Sequence, residues 1–151
     1  MSRVLMLVPV VMGVLACGKT ETPPADTMAN ATEMSHNITD ADVTGTWKGT
    51  NMPVGSDSVI GHWTQVCGAG SCKGGEDGSN VVVLSTYTLS GDSAVGVSQP
   101  FSDPSIKGGE IIDTWVVHLN GDNATGTGAM KLASKPDSVV MSYHFAGSRV
   151  R

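Results

Sequence analysis

The chain has 151 residues, 40% of them hydrophobic, 5% aromatic and 15% charged, with a formal net charge of −5. That acidic balance excludes the basic footprint of a nucleic-acid binder. The length suits one folded domain, and with so few aromatic residues its core must be built mainly from Val, Ile, Leu and Met.

Arg3 stands ahead of an apolar run from Val4 to Ala16, the pattern of a charged n-region followed by an h-region. The run has 13 residues, short of the roughly 17 to 25 that a membrane-spanning helix needs, and Pro9 and Gly13 weaken it further. Residues 1–16 therefore read as an export signal. The segment Val14-Leu15-Ala16-Cys17 resembles the lipobox of bacterial lipoproteins. The resemblance implies cleavage after Ala16, a diacylglycerol on the Cys17 thiol and acylation of the new amine. Two or three acyl chains meet the requirement for a stable anchor, each buried methylene contributing roughly 0.8 kcal/mol. In such lipoproteins an Asp after the cysteine favours the inner membrane, whereas Gly18 and Lys19 follow here. The implied address is the outer membrane, facing the periplasm. Loss of residues 1–16 removes Arg3 and leaves 8 basic against 14 acidic side chains.

Residues 17–42 form the lipidated cysteine and a linker rich in Thr, Ala, Pro, Asn and Glu, with Pro23-Pro24 and no sustained apolar period, as expected of a flexible tether. The folded domain is expected over residues 43–151. Strands are predicted over residues 44–50, 58–66, 80–89, 93–99, 110–119, 123–132 and 137–147, bounded by clusters of Gly, Asn, Asp, Ser and Pro. An internal repeat supports them. Leu89-Ser90-Gly91-Asp92-Ser93-Ala94-Val95-Gly96 matches Leu119-Asn120-Gly121-Asp122-Asn123-Ala124-Thr125-Gly126, and each reads as a hairpin with a tight Gly-Asp turn. Weaker echoes lie at Ser56-Asp57-Ser58 and Pro136-Asp137-Ser138.

The fold class is accordingly all-β: an antiparallel up-and-down meander that hides its edges by closing into a seven- or eight-stranded barrel or, alternatively, by doubling into a β-sandwich. An eighth strand, needed for the commonest small barrel, could be supplied by the segment before Thr44 or by the tail to Arg151. Gly45-Thr46-Trp47 on the first strand resembles the Gly-x-Trp signature of the lipocalin and avidin group of barrels. The resemblance implies a lipocalin-like barrel with a basic residue of the last strand, Arg149 or Arg151, packed over the tryptophan.

With Cys17 lipidated, Cys67 and Cys72 remain, and in an oxidising compartment the default reading is a disulfide closing the loop between them. By strand parity, His62, His118 and His144 are outside if the tryptophans are inside, which makes Trp47, Trp63 and Trp115 candidate ligand or core residues. No spacing forces those histidines into a metal site, and Met28, Met34 and His36 of the tether are a weak soft-metal cluster. No cofactor is implied. Ser, His and Asp lack a Gly-x-Ser-x-Gly elbow, so the reading is non-enzymatic. Asp57, Asp92 and Asp122 are explained as turn residues bonding to their own backbone. The glycine-rich segment from Gly68 to Asn80 lacks a phosphate-binding Lys-Ser or Lys-Thr. With the connection from Gln99 to Glu110 it is expected to form one recognition rim, pinned by the disulfide.

Two functions compete. One is a binding module whose interior or rim holds a small apolar ligand or an envelope protein, with the three tryptophans lining the inside. The other is a structural or interaction lipoprotein with a filled core. The small residues from Ala124 to Ala129 suit either a cavity or a collapsed sheet.

Overall fold

Gly-Asp turns at residues 91–92 and 121–122 make two of the hairpins, and most of the described residues are strand. In the computed structural model the described residues are 37–151, so the expected export signal, Cys17, and Met28, Met34 and His36 of the expected tether lie outside them. A four-residue helical turn, α1 (Asp40–Val43), leads into β1 (Gly45–Pro53), β2 (Gly61–Gly68), β3 (Ser71–Glu76), β4 (Val83–Ser90), β5 (Ser93–Ser98), β6 (Ile111–Asn120), β7 (Asn123–Leu132) and β8 (Lys135–Arg149). Every strand pairs antiparallel with the next, and β8 pairs back onto β1, giving a closed eight-stranded up-and-down barrel of lipocalin-like architecture rather than a sandwich.

The eighth strand is neither the segment before Thr44 nor the tail. It is β3, inside the glycine-rich segment expected to be a loop. Its glycines belong to the sheet: a Cβ on Gly74 would strike the carbonyl oxygen of Thr64, and one on Gly75 that of Val81. The strand can lie between its neighbours only without those side chains.

Both Gly-Asp turns have positive φ at the glycine, 61° at Gly91 and 59° at Gly121, as a two-residue type II′ hairpin requires. The weaker echo at Pro136 is not a turn, since it falls within β8. The domain also starts earlier than residue 43. Ile38 is buried and its backbone N–H donates to Gly91 at 2.9 Å, while the Asp42 carboxylate accepts both the N–H and the hydroxyl of Thr39, at 2.8 and 2.7 Å, to start α1.

Inside the barrel, large rings face glycines directly across the ladder. Trp63 is opposite Gly49, Trp115 opposite Gly96, Phe145 opposite Gly126 and Tyr143 opposite Gly128. In each case the ring occupies the space a Cβ would need. The small stretch of β7 is therefore a pair of ring seats, covered by Phe145 and Tyr143. Eight strands enclose an interior just wide enough for side chains or one small ligand, and seating rings flat against glycine backbone leaves room between them.

One end is shut. Arg149, on β8, lies with its guanidinium carbon 4.4 Å from the centroid of the Trp47 ring and donates to the carbonyls of Thr44 and Asp42. The Trp47 indole N–H donates to Val43 at 2.8 Å. Gly45 must be glycine here, because its φ is 141° and a Cβ would sit 2.8 Å from Arg149 Nη1. At the same end Asp40 accepts the N–H groups of Ala69 and Gly70, each at 3.2 Å, and the hydroxyl of Tyr87. The Tyr87 bond holds the Asp40 carboxyl below its usual range, and burial together with that carboxylate pushes Tyr87 up to about 12.

Candidate functional site

Alternation of ends along the meander puts the β2–β3, β4–β5 and β6–β7 turns at the shut end. The longer connections, residues 54–60, 77–82 and 99–110, share the other. Cys67 and Cys72 are bonded and face each other across the β2–β3 ladder. The disulfide thus pins the shut end, not the recognition rim assigned to it from sequence, because β3 reverses the chain before the long connection begins. The connection over residues 99–110 does lie at the open rim. It is held there by paired backbone bonds between Phe101 and Ile111, at 3.0 and 2.8 Å.

From this rim a cavity of about 140 Å³ runs into the barrel. Trp47, Trp63 and Trp115 all line it, together with Tyr143 and Phe145, which share a face of β8. Trp63 meets Phe145 edge-on at 5.9 Å and Tyr143 lies 6.2 Å from Phe145, so three of the wall's rings form a connected set. Glu76 and Asp103 also line the cavity, contributed by β3 and the rim connection.

One wall residue was missed by the sequence reading: Asp113. It stands two positions before Trp115 on β6 and shares its inward face, so parity alone identifies it. The Tyr143 hydroxyl donates to its Oδ2 at 2.7 Å, and its own N–H donates to the Ser98 hydroxyl at 2.8 Å. Its Oδ1 is buried with no hydrogen-bond partner, as are the indole nitrogens of Trp63 and Trp115. Burial pushes the Asp113 carboxyl up to about 6, against the opposing pull of the Tyr143 bond. Tyr143 is itself driven well above the ordinary tyrosine range by burial and by that carboxylate.

The remaining candidates lie elsewhere. His62 and His118 are exposed and His144 is half-buried, and among the described residues no three His, Cys, Asp or Glu side chains converge as a metal-ligand set. Ser93 donates to Asp92 at 2.7 Å and lies 2.9 Å from His118 Nδ1, which is 3.7 Å from Asp92. A nucleophilic triad uses both ring nitrogens, one taking the serine proton while the other keeps its own proton hydrogen-bonded to the aspartate. Here serine and aspartate address the same nitrogen, so the trio is a clasp across the β4–β5 turn. Asp122 is not explained by its own backbone either. It takes Arg151 at 2.8 Å and Arg149 at 3.3 Å, and the Arg151 bond foremost holds its carboxyl below the usual range.

No protein-family model, curated protein or solved structure matches the chain. The site therefore rests on its own geometry.

Proposed function

We propose that the protein is a non-catalytic envelope lipoprotein, held through lipid on Cys17 in the outer membrane facing the periplasm, whose barrel binds a small, largely apolar ligand. The observation that carries this reading is the ring-walled cavity itself. At about 140 Å³ it matches the size of an enclosed apolar cavity of roughly 150 Å³ that admits benzene. The buried, unpaired polar atoms on its walls support it too, since orphan groups in a core cost about 1–3 kcal/mol each unless something satisfies them. The test is native mass spectrometry of the full chain extracted from membranes. A stoichiometric small molecule lost on Trp63→Ala, with the barrel still folded by circular dichroism, is the expected result. A folded barrel that is always empty would overturn it.

A second reading, docking of an envelope protein, is favoured by one observation. Val66, Leu84, Val95 and Val97 are 57, 42, 42 and 45% exposed on the outer face of β2, β4 and β5. Photocrosslinking from position 84 in membranes separates the two: a single specific adduct supports docking, and none removes it.

A further inference from the structure

The cavity is apolar in its rings but not in its charge. Of its wall residues, Glu76, Asp103 and Asp113 are acidic and none is Lys, Arg or His. Glu76 is exposed and Asp103 half-buried, at the rim where water screens them; Asp113 is deep, with one oxygen satisfied by Tyr143 and the other by nothing. A carboxylate taken out of water without a full complement of donors is among the costliest groups a fold can hold. The Tyr143 hydroxyl addresses Oδ2, and although the Thr114 backbone N–H also acts on the carboxylate, Oδ1 has no hydrogen-bond partner.

A neutral apolar guest would leave that deficit in place. An anion would worsen it. A cation carrying N–H donors would remove it, forming a charge-assisted hydrogen bond roughly twice as strong as a neutral one. The rings that surround the cavity act in the same direction, because the faces of Trp, Tyr and Phe attract cations, most strongly when desolvated. Two features, an orphan carboxylate oxygen and an aromatic wall whose only charged residues are acidic, thus favour the same chemistry, while the unpartnered indole N–H groups of Trp63 and Trp115 would take an acceptor elsewhere on the guest.

Building on the carrier reading above, we infer that the ligand is a small organic ammonium ion, its apolar body among Trp47, Trp63, Trp115 and Phe145 and its N–H groups on Asp113. The three carboxylates also draw such a cation toward the open rim. The cavity volume restricts the apolar body to about one six-membered ring.

All three tryptophans of the chain line the cavity, so entry of a guest reads directly on their fluorescence. The full chain is titrated at pH 7.5 with benzylamine, toluene and benzoate as probes, for the wild type and for Asp113→Asn. Benzylamine is expected to bind at least about ten-fold more tightly than toluene or benzoate, and within about two-fold of toluene in Asp113→Asn. Equal or tighter binding of toluene or benzoate to the wild type overturns the ammonium site while leaving the carrier reading intact. A preference for benzylamine that survives in Asp113→Asn overturns the role of Asp113. No response to any probe up to millimolar concentration overturns both readings. Should the variant fail to fold, the wild-type ranking alone decides.

Discussion

Arg149, the last residue of β8, lies over the ring of Trp47 on β1, 4.4 Å from its centroid, and its guanidinium also donates to the carbonyls of Thr44 and Asp42. One side chain therefore seals the barrel seam and caps its shut end. The contact depends on Gly45, whose missing Cβ leaves space for Arg149 Nη1. The Gly-x-Trp spacing thus has a direct physical reason here: the glycine admits the arginine and the tryptophan receives it.

Truncation at this position should be costly. Arg149→Ala removes the cation–π contact, worth about 0.5–2 kcal/mol, and charged hydrogen bonds to two carbonyls, worth about 1.5–3 kcal/mol each before their carbonyls find water. A net loss of about 2–4 kcal/mol is expected in urea unfolding followed by circular dichroism. Arg149→Lys should recover less than half, because an ammonium cannot serve both carbonyls and stack on the ring at once. Full recovery by lysine would show that charge alone holds the seam.

The disulfide acts at the same end. Bridging Cys67 and Cys72, five residues apart, closes so short a loop that the chain-entropy model gives only about 2 kcal/mol. The double variant Cys67→Ala, Cys72→Ala should lower the urea midpoint by that amount and leave the far-ultraviolet spectrum unchanged. A loss of the β-sheet signal would mean that the bridge is required to form β3 and not merely to restrain the unfolded chain.

Much of this architecture was legible in the residues. The twin Gly-Asp turns locate β4–β5 and β6–β7, and alternation puts Trp47, Trp63 and Trp115 inside. β3 was hidden because Gly74 and Gly75 sit mid-strand, where glycine normally signals a turn. Their reason is tertiary, the close approach of Thr64 and Val81, which no local pattern contains. α1 is too short to show a helical period, though Thr39 and Asp42 stand at capping-box spacing. Asp113 was open to the same parity argument that placed Trp115. An aspartate rarely faces a core, and that exception is what makes Asp113 informative.

The ring seats make a further prediction. The space where a Cβ on Gly96 would lie is taken by the six-membered ring of Trp115, and the two residues are directly opposed in the β5–β6 ladder. Gly96→Ala should therefore push Trp115 into the cavity and cost about 1–3 kcal/mol, the usual penalty for overpacking a core. Its tryptophan emission should shift, and a probe such as toluene should bind more weakly. An unchanged emission maximum with unchanged toluene affinity would mean that the strand backbone, not the Trp115 ring, gives way.

The buried carboxylate sets the pH dependence. Asp113 titrates at about 6 in the folded barrel against 3.8 in an unfolded chain. Below the lower value both states hold the proton and the group contributes nothing. Between the two, the folded state binds more protons than the unfolded one, so stability falls as pH rises. Above about 6 the penalty is complete, on the order of 3 kcal/mol at 1.36 kcal/mol per pH unit. Asp40 and Asp122 have lowered folded values and act oppositely: their stabilisation is present above 3.8 and lost as pH falls below it. The raw stability curve mixes these contributions, but the difference between wild type and Asp113→Asn isolates one. The amide keeps an oxygen for the Tyr143 hydroxyl and carries no charge to desolvate. Urea unfolding should find the two proteins about equally stable at pH 4 and the variant more stable at pH 8, by up to about 3 kcal/mol. A wild type that gains stability over the variant between pH 4 and 8 would mean that the carboxylate is already satisfied in the folded barrel, and the ammonium site would lose its energetic basis.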